Sequence, residues 1–152
     1  MSNHRPIHFY DAATPENVPS GVYAACYING YAWSEAQRKR MERIFCVSVL
    51  PEAYWARFAR CIDIERGAAT PNDLVPFIKA RRLHHDDATA YVNRSNWETC
   101  KMLCADAGIA EPFWWVATLD GTDITDAWAC QRYGYSGYDL SVLHGHDNFV
   151  KP

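Results

Sequence analysis

The chain has 152 residues, of which 49% are hydrophobic, 14% aromatic and 22% charged, and its net charge is −3. This length and apolar content predict a single domain, residues 1–152, with a sizeable core. The negative balance argues against a protein that binds nucleic acid by neutralising phosphates, and the lack of a long apolar run argues against a membrane span.

Eight short runs of apolar and β-branched residues predict strands. They are 7–10, 22–28, 44–50, 61–65, 88–92, 113–119, 128–133 and 138–142. Possible capping boxes at Ser34 and Ser95, and prolines that follow Thr14 and Thr70, indicate where helices begin. The predicted helices cover about 34–43, 71–84 and 95–107, with short ones near 14–18 and 52–58.

Strands and helices alternate over the first two-thirds of the chain, which predicts parallel strands with right-handed crossovers. The later connections, 120–127 and 134–137, are too short for crossover helices and predict hairpins or irregular turns. We therefore expect an α/β fold, a small irregular TIM-like barrel of about five β/α units closed by three helix-poor strands. An open sheet flanked by helices is the alternative.

The predicted strand 61–65, Cys-Ile-Asp-Ile-Glu, carries two acids at alternate positions. Alternation places Asp63 and Glu65 on one face, about 7 Å apart, at the carboxyl end of the strand, where α/β folds carry their chemistry. Each carboxylate opposes ionisation of the other, so the pair can supply one proton donor and one anion. The alternative is that both acids form ion pairs with Arg60, Arg66 or a helix N-terminus.

Two further acids stand at the ends of the chain, Asp11 after the first strand and Asp139 beside the last. The first and last strands of a closed barrel are neighbours, so these acids could join Asp63 and Glu65 at one mouth. Alternatively, Asp11 and Asp139 form a turn and a helix cap.

Metal sites are possible but weakly indicated. Four carboxylates could hold Mg²⁺ for phosphoryl transfer, although the chain lacks the basic surface of a nuclease. The runs 84–87 and 144–147 each contain two histidines, but no third ligand follows at a known spacing. The six cysteines include no C-x-x-C motif and read as buried thiols. We expect no metal and no cofactor.

Six segments together resemble one known family. They are Phe9-Tyr10-Asp11, Cys61-Ile62-Asp63-Ile64-Glu65, Ala90-Tyr91-Val92-Asn93 followed by Trp97, Phe113-Trp114-Trp115-Val116-Ala117, Trp128-Ala129-Cys130-Gln131-Arg132-Tyr133 and Tyr138-Asp139-Leu140-Ser141. In this order they resemble the glycoside hydrolase family 25 lysozymes, muramidases of bacteriophage and bacterial origin. The resemblance spans nearly the whole chain and is closest to compact phage-type members.

The resemblance implies a peptidoglycan-directed N-acetylmuramidase on an eight-strand, five-helix barrel. It implies Glu65 as general acid and Asp63 as the group that orients the N-acetyl group or stabilises the oxocarbenium-like centre. Asp11 and Asp139 would position this pair and hold its charge state. The implied substrate-binding residues are Tyr10, Tyr91, Trp115, Gln131 and Tyr133. Beside Gln131, Arg132 could instead enter the cleft and pair with an acid.

Two functions remain open at this stage. One is an active glycosidase, which a phage would use at lysis or in its tail. The other is a catalytically inactive glycan-binding module of a virion or cell-surface protein. The N-terminus has no apolar signal segment, so we expect a protein that is cytoplasmic until released, or virion-associated. The expected partner is peptidoglycan or another glycan, and the sequence does not predict the oligomeric state.

Overall fold

The computed structural model describes residues 5–152, and in this part of the chain eight strands close into one barrel. The strands are β1 (His8–Asp11), β2 (Tyr23–Tyr27), β3 (Arg43–Ser48), β4 (Cys61–Ile64), β5 (Thr89–Asn93), β6 (Phe113–Ala117), β7 (Ala129–Gly134) and β8 (Asp139–Leu143). Neighbours from β1 to β7 are parallel, whereas β8 is antiparallel to both β7 and β1. The open-sheet alternative is therefore wrong, because β8 closes on β1.

Helices fill some of the connections between the strands. The α-helices are α1 (Glu35–Lys39) after β2, α2 (Leu74–Arg82) after β4 and α3 (Arg94–Asp106) after β5. Short 3-10 helices cover Pro15–Asn17, Ala53–Arg57 and Pro71–Asp73. In the described residues, helix-free connections join β6 to β7 and β7 to β8. The prediction of an α/β fold with a closed barrel is confirmed, with eight strands and three α-helices in the described residues.

Helix starts follow local hydrogen bonding. Ser34 and Gln37 form the predicted capping box at the start of α1. The box predicted at Ser95 is wrong, because α3 begins one residue earlier and the side chain of Asn93 accepts a hydrogen bond from the Asn96 backbone. Asn93 is the better cap because its side chain reaches the third backbone N–H of the helix from an extended residue. Among residues 5–152 the structure contains no helix with the length and apolar character that a membrane crossing requires.

Alternation along the strands divides the core into an inner and an outer part. Ile62 and Ile64 face outward and pack in one cluster with Phe77 and Ile78 of α2. Inward-facing rings fill the barrel, and Phe45 and Phe149 lie 4.9 Å apart between their centroids. At the end where β1 to β7 finish and β8 begins, the inward face carries the polar side chains Asp11, Asp63 and Gln131. We call this end the mouth.

Candidate active site

The four acids meet at the mouth. Asp11 is the last residue of β1, Asp139 is the first of β8, and they are directly paired across the antiparallel ladder. Asp63 is the next-to-last residue of β4, and Glu65 is the first residue after that strand. Asp63 and Glu65 line one recess, and Asp139 lies opposite Asp11 across the β1–β8 ladder. The charge of Glu65 also acts on Asp11 and Asp139, so the structure brings all four acids together.

The acids differ in their access to solvent. Asp11 and Asp63 are only 3% and 2% exposed, Asp139 is partly buried, and Glu65 is exposed. A molecule that approaches the mouth therefore meets Glu65 first, with a largely dry carboxyl group directly behind it.

Burial and mutual repulsion favour protonated acids in this cluster. Burial first, and then the charge of Glu65, raise the pKa of Asp63 to about 9. Burial and the charge of Asp139 raise the pKa of Asp11 well above its ordinary range, although the hydrogen bond from Gln131 opposes this shift. Burial and the charge of Glu65 also raise the pKa of Asp139. At neutral pH the cluster thus keeps protons that isolated carboxylates would lose.

Two hydrogen bonds in series connect Tyr91, Gln131 and Asp11 beneath the exposed part of the site. The Tyr91 hydroxyl donates to Gln131 Oε1 at 2.7 Å, and Gln131 Nε2 donates to Asp11 Oδ1 at 3.2 Å. Because Gln131 is held at both ends of its amide, its orientation toward Asp11 is set by Tyr91. Tyr91 and Gln131, both predicted to bind substrate, therefore lie next to the carboxylates, and Gln131 hydrogen-bonds to Asp11.

Asp63 has unused hydrogen-bonding capacity. Its Oδ1 atom is buried, and none of the described residues hydrogen-bonds to it. Such an atom is costly unless a proton, a water or a ligand group satisfies it. A proton held on the Asp63 carboxyl group, whose pKa is raised by burial and by the charge of Glu65, lowers this cost.

The predicted alternative of ion pairs with arginine is wrong. In the part of the chain that the structure describes, no ion pair joins Asp63 or Glu65 to an arginine. Arg60 precedes β4, so it lies at the opposite end of the barrel, where its guanidinium sits 4.7 Å from the Trp128 ring and donates to Thr89 Oγ1. Arg132 occupies the irregularity of β7 and lies 5.6 Å from the Tyr133 ring, so it does not neutralise the acids either.

Three of the predicted substrate-binding residues, Trp115, Tyr10 and Tyr133, do not face into the mouth. Trp115 is 2% exposed and packs 5.2 Å from Phe9, because its register partner on β7 is Ala129, one inward layer deeper than Gln131. Tyr10 faces outward from β1 and lies 5.4 Å from Tyr138. Tyr133 also lies on the outward face, because it pairs with Leu140 of β8, as Tyr10 does, and it is 39% exposed beside the mouth.

Tyr27 is a site residue that the sequence reasoning missed. It ends β2, and the charges of Asp11, Asp63 and Glu65 add to burial in raising its pKa. With Tyr31 it lines a recess of about 130 Å³ beside Asp63 and Glu65. The sequence does contain a signal for this position, because Tyr27 is two residues after the inward-facing Ala25 and so also faces inward.

The histidine runs show no metal geometry in the described residues. His144 pairs with Asp123 at 2.6 Å, far from the mouth in the connection that follows β8. Residues 5–152 contain no group of three or more His, Cys, Asp or Glu side chains arranged to hold a metal ion.

Comparison of the chain with protein-family models, curated proteins and solved structures gave no match. We therefore infer the function from the residues at the mouth of the barrel. An exposed carboxyl group beside a buried, protonated one can deliver a proton and leave an anion behind.

Proposed function

We propose that this chain is a lysozyme-like glycosidase that hydrolyses N-acetylmuramic acid linkages in peptidoglycan. The observation that carries the proposal is the recess that exposed Glu65 and buried Asp63 share, with the paired Asp11 and Asp139 at the same mouth. Glycoside hydrolysis requires a proton for the departing oxygen and a negative group near the oxocarbenium-like carbon. A carboxyl pair that holds one proton between its members meets both requirements.

The pair works as a unit in this mechanism. Its proton passes through Glu65 to the glycosidic oxygen as the bond to the anomeric carbon breaks. Asp63 is then the anion that stabilises the positive carbon or orients the neighbouring N-acetyl group. A water molecule attacks the carbon, gives its proton to Glu65, and so restores the starting charge of the pair.

The other polar residues of the mouth set the charge and shape of the site. Asp11 adds to the increase in the pKa of Asp63, and Asp139 adds to that of Asp11, so both acids favour retention of protons by the cluster. Gln131 and Tyr91 hold Asp11 in place, as their hydrogen bonds of 3.2 and 2.7 Å indicate. Tyr27 is the ring that would contact sugar in the recess beside Asp63 and Glu65.

The fold is compatible with this assignment. A helical segment, either α or 3-10, follows each of β1 to β5, and the remaining strands are helix-poor. This supports a compact, irregular TIM-like barrel of five β/α units, related to glycoside hydrolase family 25 and similar to its phage-type members. In that setting the protein would be virion-associated, or cytoplasmic until release.

The second candidate is a glycan-binding module without turnover. The observation that favours it is the size of the recess beside Asp63 and Glu65, about 130 Å³. This recess is smaller than ordinary ligand pockets, which begin at roughly 300 Å³. A sugar would then rest on the mouth without being enclosed against water.

The test compares wild type with Glu65→Gln on purified peptidoglycan, with Glu98→Gln on the exposed surface of α3 as the matched control. We expect Glu65→Gln to release new reducing ends at least about 100-fold more slowly, because it cannot donate the proton. The Glu98→Gln variant should match wild type. Equal rates for Glu65→Gln and wild type would contradict the assignment, and wild-type binding without any release would favour the module.

A further inference from the structure

Four tyrosines form a continuous row beside the mouth. Tyr133, Tyr135 and Tyr138 come from the β7–β8 hairpin, and Tyr10 comes from the outer face of β1. Successive ring centroids are 6.0, 5.2 and 5.4 Å apart. Tyr133 and Tyr135 are 39% and 48% exposed, which leaves much of each ring open to solvent.

A second recess adjoins this row. Its volume is about 270 Å³, and it is lined by Tyr135, Tyr138 and Asp139 on the hairpin side and by Thr14 and Asn17 after β1. We call it the hairpin recess. It lies at β8 and β1, whereas the smaller recess beside Glu65 involves residues that end β2 and follow β3 and β4. The two recesses therefore flank the carboxylate cluster, with Asp139 in one and Glu65 in the other.

The wall of the hairpin recess is held in place. Asn17 Nδ2 donates a hydrogen bond to the Gly137 carbonyl at 3.1 Å, which ties the hairpin to the connection after β1. Gly137 has a φ of +98°, and a Cβ atom there would lie 2.7 Å from Asn17 Nδ2. Only glycine allows this close approach without strain. The recess is thus formed before any ligand arrives, which lowers the entropic cost of binding.

The chemistry of the hairpin recess suits an uncharged sugar. Tyrosine rings offer apolar faces, and Thr14, Asn17 and Asp139 offer hydrogen-bonding groups at the edges. None of the residues that line the recess is a cation, and Asp139 would repel an anion. A pyranose ring has the complementary surface, with an apolar face and a polar rim.

We propose that the hairpin recess binds an uncharged sugar unit of a glycan that extends across the mouth past Glu65. This inference rests on the proposed glycan-directed function and adds to it an anchoring surface outside the carboxylate cluster. The preferred ligand is then an extended chain that occupies both recesses, not a single terminal sugar.

Binding can be measured apart from turnover in a Glu65→Gln background, by sedimentation of the protein with insoluble peptidoglycan. In this background we compare Tyr135→Ala with Tyr135→Phe, which keeps the ring, and with Tyr54→Ala, which removes an exposed tyrosine near the end of α2. We expect Tyr135→Ala to raise the Kd about tenfold, through loss of ring contact. Tyr135→Phe and Tyr54→Ala should bind like the parent. Near-ultraviolet circular dichroism checks that each variant is folded.

The outcomes separate this inference from the proposed function. Unchanged binding by Tyr135→Ala overturns the sugar site in the hairpin recess, while release of reducing ends by wild type would still support the glycosidase. Weaker binding by Tyr135→Ala supports the recess, even if wild type releases no reducing ends and the enzyme assignment fails. Failure of the parent protein to bind peptidoglycan overturns the sugar site in the hairpin recess, and the glycosidase is then judged by release of reducing ends from wild type alone.

Discussion

Replacement of Asp63 by asparagine should stabilise the fold in a strongly pH-dependent way. Asp63 is buried, and its pKa is raised from 3.8 to about 9, chiefly by burial and by the charge of Glu65. Between these two values the folded protein holds a proton that the unfolded chain has released. The free energy of unfolding of wild type therefore falls as pH rises through this window. Asparagine is uncharged at every pH and removes this dependence.

The size of the effect follows from the same two pKa values. The interval from pH 3.8 to neutral pH is about three pH units. Each unit lowers the free energy of unfolding of wild type by about 1.4 kcal/mol, so Asp63→Asn can gain at most about 4 kcal/mol. Because the proton is shared with Glu65, we expect Asp63→Asn to gain about 2 kcal/mol at pH 7 and almost nothing at pH 4. Asparagine has nearly the same size and shape as aspartate, so the packing is preserved while the acid chemistry is lost.

Urea denaturation at several pH values measures this difference directly. Asp106→Asn is the matched control, since Asp106 is exposed at the end of α3. The control should follow wild type at every pH, whereas the gain of Asp63→Asn should grow from acid to neutral pH. A gain that does not vary with pH, or a wild type whose stability increases from pH 4 to pH 8, would refute the reasoning that a buried proton resides on this cluster.

Two further predictions concern the hydrogen bonds of Gln131 and the pH dependence of activity. Gln131→Ala should lower the free energy of unfolding by about 2–4 kcal/mol, because it leaves the Tyr91 hydroxyl without its acceptor and opens a small cavity; a loss below about 0.5 kcal/mol in urea denaturation would contradict this. The rate of reducing-end release should fall as pH rises past about 9, where Asp63 loses its proton, and a rate that stays constant well above that pH would show that the proton is not required.

Much of the fold was predictable because its local signals agree with one another. Strand 61–65 has outward isoleucines and inward acids, and the structure keeps this division, with Ile62 and Ile64 in the outer core. The pairing of Asp11 with Asp139 was predictable from closure alone, since it needs only that the first and last strands meet. These arguments use alternation and connection length, which are properties of the backbone.

Depth along the barrel was not predictable in this way. Alternation shows that Trp115 faces inward, but its distance from the mouth depends on register with β7, where it pairs with Ala129 and not with Gln131. Register is set by pairing between distant segments, which a single sequence does not reveal. The cap of α3 was missed for a different reason, because Asn93 also ends β5 and so carries two competing local signals.

The measurement that tests the central claim most directly is the identity of the sugar at the end that the protein exposes. Purified peptidoglycan is incubated with wild type and with Glu65→Gln, the soluble fragments are reduced with borohydride, and the reduced sugar is identified by mass spectrometry. We expect reduced N-acetylmuramic acid from wild type and a strongly diminished yield from Glu65→Gln. Reduced N-acetylglucosamine, free peptides without a new reducing end, or equal yields from the two proteins would contradict a muramidase in which Glu65 delivers the proton.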